Sequence, residues 1–79
     1  MNAVQMRMAR AAIGWGVREL AEKAGVTANT VTRIENGSDA KASTLAAIQA
    51  AFEAAGVVFL ADGELKAGGP GVRLRTVLP

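Results

Sequence analysis

Seventy-nine residues suffice for one domain, and a chain of this size buries only about 60% of its extended surface, so its core is marginal. The absence of cysteine and histidine excludes a disulfide framework and thiol chemistry and removes the commonest general base and metal ligand. A formal net charge of +2 permits nucleic-acid binding without arguing for it, and the 51% hydrophobic content is inflated by alanine.

No apolar run approaches the ~20 residues that span a membrane, and the opening MNAVQMRMAR lacks a secretory apolar core. A soluble cytoplasmic protein with no membrane partner is therefore expected. The first helix is predicted from about Ala3 to Ile13. Asn2 caps it, and Gln5 at the third helical position reaches back as in a capping box. Met6, Ala9 and Ile13 form its inward stripe. Gly14 ends it, and Trp15 reads as a wedge at the corner rather than as a ligand-stacking residue. Gly16 opens the second helix, where Glu19 answers the exposed N–H groups.

The stretch VRELAEKAGVTANTVTRIENG, Val17 to Gly37, reads as two short helices joined by a tight turn. Leu20, Ala21 and Ala24 repeat at helical spacing, as do Val31 and Ile34 beyond the turn. Gly25 supplies the positive φ that ends one helix, Val26 plugs the corner, and the Thr27 hydroxyl caps the next. Asn36-Gly37 is a C-terminal stop. At 100° per residue, Ala28, Asn29, Thr32, Arg33 and Asn36 fall within an arc of roughly 140°, with Val31 and Ile34 nearly opposite. Short amide, hydroxyl and methyl groups and one guanidinium suit base edges in a major groove. Ala28, Asn29, Thr32 and Arg33 are the candidate base readers, and Thr27, Thr30 and Asn36 are better placed for phosphate.

The pattern L-A-x-x-A-G-V-T-x-x-T-V-x-x-I-E-N-G, Leu20 to Gly37, resembles the Cro- and lambda-repressor-like helix-turn-helix family, also called XRE-type, of bacterial and phage regulators. Ala21, Gly25, Val26, Val31, Ile34, Glu35 and Gly37 carry the resemblance, which extends from about Gln5 to Gly56. It implies sequence-specific binding of double-stranded DNA, usually by dimers. It also implies an ion pair between an Arg near the end of the first helix and a Glu near the end of the recognition helix, matched here by Arg10 and Glu35. Glu35 flanks the buried stripe, which agrees with that pairing. Two departures stand out: Ala40 where the family often has Pro, and Val17 where a polar residue usually touches phosphate. Backbone N–H groups at that helix start can still do so.

Asp39 to Ser43 reads as a loop. A fourth helix follows from about Ala42 or Ser43 to Ala55, with Leu45, Ile48 and Phe52 on its core face and Gly56 as C-cap. Beyond it, Val57–Ala61 and Val72–Val77 read as strands joined by about ten residues that include two breakers, Asp62-Gly63 and Gly68 to Gly71. The second breaker is no phosphate loop, because no helix and no Lys-Ser/Thr ending follow. A lone hairpin is barely stable in water. This one is expected to pack on the fourth helix and pair with a second copy, with Val57, Val58, Phe59, Leu60, Val72 and Leu74 as dimerisation residues. Arg73 and Arg75 are expected to point to solvent rather than to help hold the DNA backbone.

The sequence thus predicts a mainly α fold: a four-helix DNA-binding domain over residues 1–56 and a two-strand dimerisation extension over 57–79. With scattered carboxylates and no nucleophile–base set, an enzyme is not expected, nor is a cofactor or metal. The expected function is that of a dimeric transcriptional regulator, a repressor acting on a palindromic operator. Two alternatives are an antitoxin-like protein whose strands hold a protein partner, and an interaction module of the same fold that has lost DNA binding.

Overall fold

A computed structural model describes residues 1–60 and 70–75. Four helices come first: α1 (Ala3–Ile13), α2 (Val17–Ala24), α3 (Ala28–Glu35) and α4 (Ala42–Ala54). Two strands follow, β1 (Val57–Leu60) and β2 (Gly71–Leu74), paired antiparallel with Val57 opposite Leu74 and Leu60 opposite Gly71. This is the mainly α, four-helix architecture with a C-terminal hairpin that the periodicities predict. The expected turn at Asp62-Gly63, the glycines Gly68 and Gly69, the residue Ala61 and the end of the second predicted strand (76–77) lie outside the described residues.

The ends of the helices follow from local chemistry. Asn2 Oδ1 accepts from the Gln5 N–H at 2.8 Å, while Gln5 Oε1 accepts from the Asn2 N–H at 2.9 Å, so the capping box closes both ways. The chain turns out of α2 at Gly25, whose φ of +72° is the left-handed conformation a side chain would oppose. Helix α4 ends one residue earlier than its composition suggests. Ala55 is the C-cap, and Gly56, with φ +98°, is the first residue outside the helix.

The core gathers Met6 and Ala9 from α1, Leu20 and Ala21 from α2, Val31 and Ile34 from α3, Ile48 and Phe52 from α4, and Val57 from β1. Ile13, Trp15, Val17, Val26, Ala40 and Leu45 pack around it. Val17 and Ala40, the two departures from the family pattern, are thus both spent on packing. Aromatic rings tie the corner after α1 to α4 and the hairpin. Trp15 stacks on Phe52 with centroids 5.7 Å apart, and Phe52 meets Phe59 edge-on at 5.8 Å. The core therefore runs across Gly56 into the hairpin.

The hairpin packs on α4, as its apolar face suggests, and also on α1. Gln5 Nε2 donates to the carbonyls of both Leu60 and Gly71, each at 2.9 Å. This buried amide joins the start of α1 to the Leu60–Gly71 end of the strand pair, where the two strands are connected. Val57, Phe59 and Val72 face the chain's own core, whereas Leu74 is 46% exposed.

Candidate nucleic-acid interface

Helices α2 and α3 with the turn at Gly25 form the candidate site. Leu20 and Ala21 from α2 and Val31 and Ile34 from α3 are buried, and this apolar seam fixes how α3 lies. The N-terminus of α3 is closed by Thr27, whose Oγ1 accepts from the Thr30 N–H at 3.1 Å. The Thr27 and Thr30 hydroxyls also bond one another at 2.8 Å. One hydrogen is used between two hydroxyls, so the pair keeps one O–H to donate outward.

With that seam inside, Asn29, Thr32, Arg33 and Asn36 are exposed together on the other side of α3. Ala28 is half-buried and packs on the core, so its methyl sits at the rim of the face rather than at its centre. Thr27 is exposed and Thr30 half-buried beside it. Flanking α3 is a cleft of about 270 Å³ lined by Thr30, Arg33, Asp39, Lys41 and Thr44, among others. Lys41 and Thr44 escape a reading of the helix face alone. Their only signal in the sequence is their place at the start of α4. At the start of α2, Gly16 makes no side-chain cap, so the first N–H groups of that helix remain available beside the exposed Arg18.

Glu35 is the only acidic residue of α3, and it does not share the exposed face. Its carboxylate takes both prongs of the Arg10 guanidinium, Nε to Oε2 at 2.6 Å and Nη2 to Oε1 at 2.8 Å. Arg7 donates to the Glu35 backbone carbonyl, and Arg10 Nη1 donates to the Trp15 carbonyl at 3.2 Å. The Glu35 side chain is 8% exposed and that of Arg10 23%. Hydrogen bonding to Glu35 raises the Arg10 pKa above arginine's already high value, with burial opposing and the carboxylate's charge assisting. One bidentate pair thus ties α3 to α1 and to the corner at Trp15, and removes the only negative charge from the exposed side of α3.

Among the described residues no helix is long and apolar enough to cross a membrane. No curated protein matches the sequence. Residues 3–59, well over half of the chain and the whole of the four helices, match the model of the family described as "Helix-turn-helix domain". The chain belongs to the helix-turn-helix family, whose domain is that of DNA-binding regulators.

Proposed function

We propose that this protein is a sequence-specific, operator-binding transcriptional regulator, acting as a repressor, that presents α3 to the major groove and binds a palindromic site as a dimer. The observation that carries the reading is the face of α3: Asn29, Thr32 and Arg33 exposed side by side while Glu35 is turned inward and neutralised. An amide can pair with adenine N6 and N7, a guanidinium with guanine O6 and N7, and the Thr32 and Ala28 methyls can meet a thymine methyl. Thr27, Thr30 and Asn36 border that face and suit phosphates, as do the uncapped N–H groups that open α2.

Selection of bound sequences from a random DNA pool tests this reading. The expected product is a symmetric consensus of two half-sites about one helical turn apart. Recovery of no consensus would overturn sequence-specific binding. On the selected site, Arg33→Ala is expected to cost roughly 1–3 kcal/mol and relax one base position. Asn36→Ala is expected to weaken specific and random DNA alike. Equal losses from both variants on both DNAs would rule out this division between base and phosphate contacts.

A further inference from the structure

Of the four residues exposed together on α3, Arg33 alone also lines the cleft of about 270 Å³ beside the helix. Asp39, an exposed carboxylate on the loop between α3 and α4, lines the same cleft. Its place is fixed from both sides. The Ser38 N–H donates to the Arg33 carbonyl at 3.0 Å, and the Gly37 N–H to the Ile34 carbonyl at 2.9 Å. These are the two bonds of a Schellman turn, for which Gly37 supplies a left-handed φ of +95°. The turn folds the chain back onto the backbone of Arg33 one residue before Asp39. One residue after it, Ala40 packs on the core. A carboxylate is thereby tethered beside the longest of the candidate base readers. Neither side chain is taken up in an ion pair among the described residues, where Arg10 and Glu35 form the only one.

From this arrangement we infer that Asp39 is a specificity-determining residue, which positions the Arg33 guanidinium when Arg33 meets guanine. This role rests on the DNA-binding reading proposed above and gives its one guanidinium base reader a partner. A guanidinium carries five N–H donors in a rigid fork, and guanine O6 and N7 take two of them. A carboxylate holding a second edge fixes the plane of the fork and restrains its long stem. In the free chain both groups are exposed, and water screens them. Against DNA, water leaves the cleft and the attraction strengthens as the local dielectric falls. The same negative charge repels phosphate on every sequence, whereas the brace operates only where Arg33 finds its base. Asp39 therefore trades general affinity for discrimination, part of which comes from repulsion. Lys41, the other charged residue of the cleft, suits this carboxylate less well. Its ammonium is a compact, strongly hydrated charge with no fork to orient.

Binding of the native chain, Asp39→Ala, Asp39→Asn, Arg33→Ala and the Arg33→Ala, Asp39→Ala double variant tests the inference. The DNAs are the site selected by the native chain, its single-base-pair variants, and random DNA, each measured over a salt series. Asp39→Ala should bind random DNA more tightly, with a salt slope steeper by about one. It should lose roughly tenfold in discrimination at the base pair that Arg33→Ala relaxes, and at no other. Asp39→Asn keeps an acceptor oxygen without the charge and should fall between. With Arg33 already replaced, Asp39→Ala should still tighten random binding and leave discrimination unchanged. The exposed position should leave the melting temperature native, which separates this role from a structural one. Native discrimination in Asp39→Ala would overturn the inference, as would a loss spread over all base pairs or one that persists in full without Arg33. Tighter binding to every sequence with discrimination intact would also overturn it, and would assign Asp39 to restraint of Lys41. A native chain that selects no sequence would overturn the DNA-binding reading and this role together, an outcome distinct from all of these.

Discussion

In the α2–α3 unit the two helix ends that meet at the turn are closed by neighbours in sequence. Gly25 ends α2, Thr27 opens α3 through the N–H of Thr30, and the seam of Leu20, Ala21, Val31 and Ile34 is drawn from the unit itself. Among the described residues the C-terminal hairpin shows no comparable local fastening. Its strands are four residues each, and they stay in place because Phe59 meets Phe52, Val57 enters the common core, and Gln5 reaches across from the other end of the chain. The helix-turn-helix unit is thus held largely by its own neighbours in sequence, whereas the described strands are held by contacts with the helices. A defect in the first should therefore remain confined, and a defect at the second should undo the element.

The largest expected effect lies where α3 is fixed to α1. Arg10→Met leaves the nearly buried Glu35 carboxylate without its partner. It should cost about 3 kcal/mol, near the lower end for a broken buried pair because the Arg10 side chain keeps 23% of its exposure. Glu35→Gln should cost less, since it leaves the more exposed member behind. The double variant should recover part of the loss. Urea denaturation of the four proteins gives the coupling, and a cycle with none would remove this pair from the account. The sign of the pH dependence follows from the raised Arg10 value. Its contribution is complete below arginine's ordinary pKa and is lost only as pH rises above it, so base should not weaken the pair within the usable range.

The same contrast explains what could be read in advance. The capping box at Asn2 and Gln5, the positive φ at Gly25 and the Thr27 cap are properties of residues a few positions apart, and the sequence shows each directly. The four helices and two strands were legible for this reason, as was the polar face of α3. Less legible was whatever depends on distant partners. Gln5 is accounted for locally by its capping role, which concealed its second role on Leu60 and Gly71. The one available signal was a polar residue a helical turn before the buried Ala9. Trp15 was readable as a wedge, but its stacking partner Phe52 was not, because ring contacts across elements leave no spacing in the chain. Lys41 and Thr44 come beside α3 only through the path of the loop before α4.

Gln5 offers a sharper division between the two regions, with an intermediate effect. Gln5→Glu keeps the oxygen that accepts from the Asn2 N–H, since Glu is itself a capping-box residue. It replaces the donor facing the Leu60 and Gly71 carbonyls with a second oxygen. Gln5→Ala removes both roles. The loss of these buried bonds alone should cost about 1–3 kcal/mol in either variant, to which Gln5→Glu adds the burial of a carboxylate against two carbonyl oxygens. In Gln5→Glu, the amides of β1 and β2 should exchange far faster than those of α2 and α3, which should follow only the global change. Equal acceleration in both regions would mean that the hairpin and the helices open as one unit.

Thr27→Ala should have the smallest effect and test the other half of the contrast. The substitution removes the acceptor of the Thr30 N–H and the hydroxyl partner of Thr30, while α2, the turn and the apolar seam stay unchanged. A lost N-cap of this kind costs about 1 kcal/mol. If the reading unit is closed locally, the change should appear at the first turn of α3, where the Thr30 amide loses protection beyond the global drop. The hairpin amides should fall by no more than that drop. Thr27→Ser restores the hydroxyl without the methyl and should return the Thr30 amide to native protection, which assigns the effect to the cap rather than to packing. A hairpin that loosens as much as the start of α3 would show that the cap is felt across the whole molecule, and the picture of a self-contained reading unit would fail.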